Sequence, residues 1–444
     1  MLGGGLAGLS LAVNLVDRGF AVHVLEKKSN LGGRASSTTD HKTHDPVPIG
    51  PHIFVKGYKF FHNFLHKIGA REAIVWERNL FLELINDEHH FQFKMSDLPT
   101  SILRLPKLFK YPFISFRDKI SNIKFIVQVI FSTRAKIDKL DEISADQYLI
   151  SRGVSNNSIN FMWRFFVLSM LNVPIEQCSA SELCHLVKSW IEMEKRQIGF
   201  AKVGLGDVYT QKATEYITSR GGIISRNTEI KEIVFNNDEV DHLVIESGGS
   251  KTELISDIYV SALNPIQLRE LLSEDILKKY FFNHLEAFAG VPYFSVNLWF
   301  DGKITHKKFW ALLDDSKQAK YFNTDFYDLS NIYETRRGNS YIASNVIYSK
   351  AYDNFSDHDI VEKTLQELRI VFPHMKANLL HSHIHRIPYV IYAPYPGMRK
   401  HRLSHKTPVK NLYLCGDWIN RYTPQSMEAA VQSGYECASI ICSL

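Results

Sequence analysis

The alternation of apolar and polar positions marks the chain's elements before any residue is singled out for chemistry. Leu6, Leu9, Val13 and Val16 recur at helical spacing, so the segment to about Arg18 is expected to be an amphipathic helix, closed by Gly19. The run "FAVHVLE" that follows is short and apolar, as in a buried strand. Tyr58, Phe61, Leu65 and Ile68 share one face of a second helix. "SRNTEIKEIVFNNDEVDHLVIESGG" alternates as strands do, and "PYFSVNLWF" and "NSYIASNVIY" read as strands of an antiparallel sheet. Near the end, 412–414 reads as a short buried strand, Thr423 with Pro424 is placed to open a helix, and Met427, Val431, Gly434, Ala438 and Ile441 lie on that helix's apolar face.

Glycines punctuate this pattern in a way that carries chemistry. Gly3, Gly5 and Gly8 have G-x-G-x-x-G spacing at the opening of the first helix. In a dinucleotide-binding turn the first glycine allows the tight turn, the second lets backbone approach a pyrophosphate, and the third lets helix and strand pack closely. The helix N-terminus then offers free N–H groups to phosphate. Glu26 ends the following strand at the distance expected of an acid that binds a ribose diol. Yet only Met1 and Leu2 precede Gly3, although such a turn must leave a strand. The natural chain is therefore expected to begin roughly four to eight residues earlier, since strands average about five residues. Met1 and Leu2 are expected to pair as a strand stub beside "FAVHVLE".

Three further segments fit the same chemistry. "NLGGRA" has Gly32 and Gly33 for a sharp turn, and Arg34 within reach of a phosphate or ring edge. "GPHIF" leads into the helix containing Tyr58. Gly416 and Asp417 follow strand 412–414 at its carboxyl end, where open α/β sheets bind ligands.

Composition bounds the class. The 444 residues are 45% hydrophobic and 22% charged, the profile of a globular protein with room for several domains. Five cysteines without CxxC spacing argue for reduced thiols, no zinc site and a cytoplasmic setting. No apolar run is long enough to span a bilayer. Residues 101–139 carry nine Lys or Arg against two Asp, a local charge of +7 beside a whole-chain value of +5. Phe109, Tyr111, Phe113, Phe116, Phe125 and Phe131 are interleaved with them. This pairing predicts peripheral contact with an anionic membrane; the alternative is a helical cap whose aromatics are core, and nucleic acid is not expected.

Together, the N-terminal glycines with Glu26, the "GGRA" turn, "GPHIF" with Tyr58, and "GDW" with "SMEAAVQSG" resemble the carotenoid and squalene desaturase group of flavin amine oxidase-like proteins. The resemblance spans nearly the whole chain. "YVSALNPIQLRELL" and "FYDLSNIY" look like plant-type phytoene and zeta-carotene desaturases, and "LNVPIEQCSASEL" like bacterial hydroxysqualene dehydroxylases. It implies an α/β fold: a Rossmann-like FAD-binding domain of the glutathione-reductase type from residues 1–75, 200–264 and 388–444. Residues 76–199 and 265–387 would form an inserted α+β substrate domain. It also implies roles. Gly3, Gly5, Leu6, Ala7 and Gly8 would cradle the FAD pyrophosphate, Glu26 would bind the ribose with Lys27 beside it, and Ile230 would lie near the adenine. Gly33, Arg34, His52, Ile53 and Tyr58 would line the flavin. Gly416 and Asp417 would approach the ribityl-pyrophosphate, Met427 would lie against the flavin, and Gln425 would stand where substrate channel meets cofactor. Plant-type phytoene desaturases carry an arginine where this chain, aligned on "TSRGG", has Val208, which points away from phytoene toward a squalene-related or other isoprenoid.

The activity implied is FAD-dependent desaturation, dehydroxylation or isomerisation of a long apolar isoprenoid of squalene or carotene type, by hydride transfer at flavin N5. No catalytic acid or base is named, and the electron partner is left open among quinone, oxygen and nicotinamide. Two other readings stand beside it: an amine or protoporphyrinogen-type oxidase, and a non-enzymatic prenyl-binding protein of the same fold. "HSHIHR" puts His381, His383 and His385 on one strand face, but no neighbouring carboxylate or cysteine is evident, so a polar sheet face is expected rather than a metal site. A GxSxG elbow is absent, which excludes an α/β-hydrolase reading.

Overall fold

In the computed structural model of the protein, the described residues are 1–77, 80–86, 90–94, 115–193, 197–313, 320–335, 338–420 and 422–443. Leu2 is the centre of a parallel arrangement. It bridges to Leu25 on one side and Ser261 on the other, and is wholly buried. The Leu2 N–H donates to Val260 O, and Leu25 N–H to Met1 O, both at 2.9 Å. The stub thus pairs beside "FAVHVLE" as the sequence predicts. Strand His23–Leu25 pairs outward with Ile223–Ser225, and Tyr259–Ser261 with Leu412–Leu414, all parallel. The inner strands Tyr259–Ser261 and Leu412–Leu414 are short and fully buried, as apolar runs in a parallel sheet are, whereas Ile223–Ser225 forms the exposed edge.

Helix Leu6–Val16 packs on this sheet, and helix Met427–Ile441 packs along it. The contact is close because Gly434 lacks a side chain: a Cβ there would meet Ala7 O at 2.7 Å. The last helix begins later than Thr423 and Pro424 led us to expect. Its cap is Ser426, whose hydroxyl accepts from Ala429 N–H at 3.2 Å. Thr423 is diverted: its N–H donates to Asn420 Oδ1 at 2.9 Å and its hydroxyl to Gln432 Oε1 at 2.8 Å. Strands Thr228–Asn236, Glu239–Ser247 and Ser250–Leu254 form the expected antiparallel sheet.

A seven-stranded sheet runs in the order Leu379–Ile387, Tyr293–Phe300, Tyr341–Ile347, Asp325–Asp328, Phe309–Leu312, Leu80–Ile85 and His90–Lys94. One face packs Phe294, Val296 and Leu298 against helix Asp357–Val371. The other meets strand Pro46–Pro48 and the residue before it. Ser295 Oγ donates to Pro48 O at 3.3 Å, and Trp299 Nε1 to Asp45 Oδ2 at 2.8 Å. Helices Phe116–Phe131, Arg164–Leu171 and Ala180–Glu192 enclose a separate apolar cluster built on Phe125, Trp163 and Leu183.

The histidine strand needs a correction. A carboxylate does stand beside it: Asp40 Oδ2 lies 2.9 Å from His381 Nε2 and 3.4 Å from His383 Nδ1. Burial opposes ionisation of Asp40, but His381 and the N–H groups of Thr43 and Lys42 more than offset it and hold the carboxyl well below its usual range. The face is therefore a polar network. Among the described residues no group of three ligating side chains could hold a metal ion.

Candidate active site

The glycine turn has the geometry its residue types require. Gly3 has φ +108°, and its N–H donates to Leu25 O at 2.9 Å. A Cβ on Gly8 would lie 2.2 Å from Gly3 O, so only glycine lets helix and strand approach this closely. Gly5 is different: a Cβ there would meet only Gly33 Cα, at 4.0 Å. Gly5 and Gly33 thus meet backbone to backbone and leave a surface free of side chains. Gly5 is also the helix N-cap, and no side chain caps that first turn of Leu6, Ala7 and Gly8.

Glu26 is held beside the glycine turn. Its Oε2 accepts from Gly4 N–H and its Oε1 from Lys28 N–H, both at 2.9 Å. Lys27 points elsewhere, to Glu229 at 2.6 Å on an exposed face. Ile230 is half-buried on the strand Thr228–Asn236, whose Thr228 N–H donates to Glu26 O at 2.9 Å.

Arg34 joins both ends of the chain. Its Nη2 lies 2.7 Å from Asp417 Oδ1, its Nη1 donates to Val390 O at 2.5 Å, and its guanidinium sits 5.5 Å from the Tyr389 ring. Burial opposes the charge on Arg34, and Asp417 with Tyr389 more than offsets it, so it stays protonated. The Tyr389 hydroxyl is buried with no hydrogen-bond partner. Gly416 N–H donates to Ser433 Oγ at 2.8 Å, which seats the Gly416–Asp417 turn on the last helix.

His52 lies beside Arg34, and its Nδ1 contacts Gly50 O at 2.5 Å. Burial, then the nearby Arg34 charge, lower its pKa, which leaves the ring neutral at pH 7 with Nδ1–H as donor. Ile53 packs against the inner face of the seven-stranded sheet. Tyr58 is the N-cap of helix Lys59–Lys67, and burial raises its pKa. Met427 is buried at the start of the last helix. The Gln425 amide is occupied by backbone: it accepts from Tyr392 N–H at 3.0 Å and donates to Tyr392 O at 2.9 Å. Val208 is buried in the short turn Gly206–Val208, at an apolar position of the core around the first helix.

Sequence reasoning missed Glu428. It is buried and accepts from Phe60 N–H at 3.0 Å and Phe61 N–H at 2.8 Å, capping the helix after Tyr58 from the last helix of the chain. Burial pushes its pKa up to about 7. The available signal was an acid placed between Met427 and Ala429 on an apolar face.

These groups fit FAD. A side-chain-free backbone surface and an uncapped helix N-terminus suit a pyrophosphate, an anchored carboxylate suits a ribose diol, and the orphaned Tyr389 hydroxyl beside Arg34 awaits a polar partner. Glu26→Ala is expected to weaken FAD binding by about 1–3 kcal/mol, the scale of a charge-assisted hydrogen bond. Titration of apoprotein with FAD, followed by flavin fluorescence, reads this directly; an unchanged affinity would remove Glu26 from the ribose.

Comparison with known proteins agrees with this geometry. The chain matches the flavin containing amine oxidoreductase family over residues 6–442. It is 27% identical over 464 residues to the 15-cis-phytoene desaturase of an Oncidium hybrid cultivar, covering 99% of this chain and 76% of that one. It is 25% identical over 482 residues to the zeta-carotene desaturase of Arabidopsis thaliana, covering 100% and 84%. Among solved structures, putrescine oxidase bound to putrescine superposes with a TM-score of 0.76 at 15% identity, over 100% of this chain and 98% of that one. The family match over nearly the full length, together with a cradle that suits its cofactor, makes this chain a member of the flavin-containing amine oxidoreductases and an FAD-dependent oxidoreductase.

Proposed function

We propose that this enzyme acts on a long apolar isoprenoid of squalene or carotene type. The observation that carries the reading is that the desaturase relatives align over 99–100% of the chain, through the substrate-side segments as well as the flavin cradle. The aromatic residues of the large sheet's inner face, including Trp299, Phe309 and Tyr327, support an apolar substrate. In this reading residues 1–75, 200–264 and 388–444 hold the cofactor, and the inserts hold the substrate. FAD, when bound, supplies a hydride acceptor or donor at its N5. The chain's own part is to orient the ring and exclude water. Arg34 and Asp417 lock two loops against each other, neutral His52 offers its free ring nitrogen, and Gln425 fixes the approach to the last helix through Tyr392. The electron partner is a quinone, oxygen or a nicotinamide.

Anaerobic mixing of the holoenzyme with candidate substrates tests the proposal. Phytoene, zeta-carotene or a squalene precursor is expected to change the flavin's visible spectrum or yield a new isoprenoid product. Turnover of putrescine or protoporphyrinogen with no response to any isoprenoid would overturn it and favour the amine or porphyrin reading.

Peripheral membrane association is the second part of the proposal. Helix Phe116–Phe131 presents Phe116 at 69% and Phe131 at 74% exposure, in line with exposed Ile120 and Lys124. Phe125 does not join them: it is core, edge-on to Trp163 at 5.2 Å. Phe109, Tyr111, Phe113, Lys107 and Lys110 lie outside the described residues. No described helix is long and apolar enough to cross a membrane. The triple variant Phe116→Glu, Lys124→Glu, Phe131→Glu is expected to lose sedimentation with anionic vesicles, most clearly at low salt. Equal pelleting of both proteins would refute the proposal.

A further inference from the structure

The seven-stranded sheet holds a largely polar row whose far end the flavin cradle does not use. His385, Ser295, Asn345, Asp325 and Ala311 are successive register partners across five strands and so share one face. It is the face turned to the segment carrying His52 and Ile53. A Cβ on Gly50 would lie 3.1 Å from the Tyr293 hydroxyl, and Gly50 O is the partner of His52. Tyr293 donates to Asn345 Oδ1, and the Asn345 amide in turn favours the ionised form of Asp325. Asp325 is 8% exposed, and its Oδ1 is buried with no hydrogen-bond partner.

Nothing in the packing calls for an acid here. The neighbouring Ala311, Phe309 and Tyr327 belong to an apolar cluster, and a valine would fill the position without stranding a polar oxygen. A chain of three polar groups that ends in a free carboxyl oxygen, one strand layer from the flavin-lining segment, is the form of a ligand contact. We infer that Asp325, backed by Asn345 and Tyr293, is a polar subsite that takes the hydroxyl of an isoprenoid alcohol. The inference rests on the isoprenoid reading above and narrows it from hydrocarbons to oxygenated chains. The alternative donor, an ammonium, is distinguished from a hydroxyl by the amine probe below. Burial pushes the carboxyl's pKa up to about 7, and the titratable groups coupled to it, Tyr293 and Tyr327, are themselves held neutral by burial. In its protonated form the carboxyl both donates and accepts, as an alcohol does; an ammonium only donates.

The test uses FAD-loaded enzyme in detergent and three matched probes: geranylgeraniol, its methyl ether, and geranylgeranylamine, with the parent hydrocarbon as reference. Affinity is read from quenching of tryptophan and flavin fluorescence. The alcohol is expected to bind roughly tenfold more tightly than hydrocarbon or ether, the scale of one hydrogen bond to a buried carboxyl. Asp325→Val should erase that preference while keeping hydrocarbon affinity, with FAD content and melting temperature as folding controls. Asp325→Ala repeats the comparison should the valine variant not fold. Equal affinity for alcohol and hydrocarbon, or a preference that survives both substitutions, overturns the subsite and leaves the isoprenoid reading intact. Tighter binding of the amine than of the alcohol, lost in Asp325→Val, overturns the hydroxyl assignment. If no isoprenoid probe binds, the isoprenoid reading fails and the subsite with it.

Discussion

Gly8→Ala is expected to give a protein that purifies without FAD and melts well below the parent. The methyl group would sit 2.2 Å from the Gly3 carbonyl oxygen and 3.3 Å from Ala262 Cβ. The first of these is backbone in the central strand and cannot rotate away. Helix Leu6–Val16 must move outward, at about 1–3 kcal/mol for the overpacking alone. The same displacement moves the helix N-terminus from its place opposite Gly33, and a phosphate cradle tolerates only about 0.5 Å of error. Gly5→Ala separates the two effects. Its Cβ meets nothing nearer than 4.0 Å, and its φ of −74° suits alanine, so the apoprotein should melt like the parent while FAD binding is lost. Melting curves of both apoproteins, with FAD titrations, check the pair. Stoichiometric FAD on purified Gly8→Ala would show that the close approach is not needed.

Glu182→Ala is expected to cost about 3–5 kcal/mol, the scale for removing one partner of a buried ion pair. Glu182 lies at the start of helix Ala180–Glu192 and accepts from Arg399 at 2.9 Å and Arg402 at 3.1 Å, with all three side chains almost fully buried. Burial opposes its charge, but the two guanidinium groups more than offset this and lower its pKa from the ordinary 4.5. A carboxyl depressed on folding stabilises fully above its unfolded value, so this contribution is present above about 4.5 and fades as pH falls below it. Denaturant unfolding at pH 7 should show the loss, and the variant should have a shallower acid limb than the parent. Arg402 also donates to Asn420 O at 2.7 Å, and Asn420 shapes the turn before the last helix. Reduced FAD retention should therefore accompany the lost stability. A variant as stable as the parent at pH 7 would show that the triad is replaceable.

Sequence reading found the elements whose evidence is local. The first helix, the glycine turn, Glu26, and the buried strand 412–414 each announce themselves within about twenty residues, through spacing and turn chemistry. It misplaced the start of the last helix because Thr423 satisfies the local rule for a cap, and only the folded turn shows Asn420 and Gln432 claiming its groups. It missed Asp40 beside the histidine strand, since that contact joins positions 341 residues apart. The same holds for Glu428 on Phe61, 367 residues distant, and for Arg399 on Glu182, 217 residues distant. Asp325 carries no signal in the chain, because the isolation of its carboxyl depends on what other strands bring to it.

The packing of the last helix on the first has a consequence for synthesis on the ribosome. Ser10 donates to Val431 O, 421 residues further along, and the two helices share a continuous apolar seam. During translation the N-terminal helix emerges with that seam uncovered and waits for the whole intervening chain. At roughly 5–20 residues per second the delay is about 20–85 seconds, far longer than a helix or hairpin needs to form. The inserted segments can collapse in that interval, whereas the cofactor cradle cannot close. Nascent chains halted before Val431 should therefore be protease-sensitive at their N-terminus and bound by holdase chaperones. FAD capture therefore waits until helix Met427–Ile441 has emerged and docked on the first helix, which makes cofactor loading a late step for this fold.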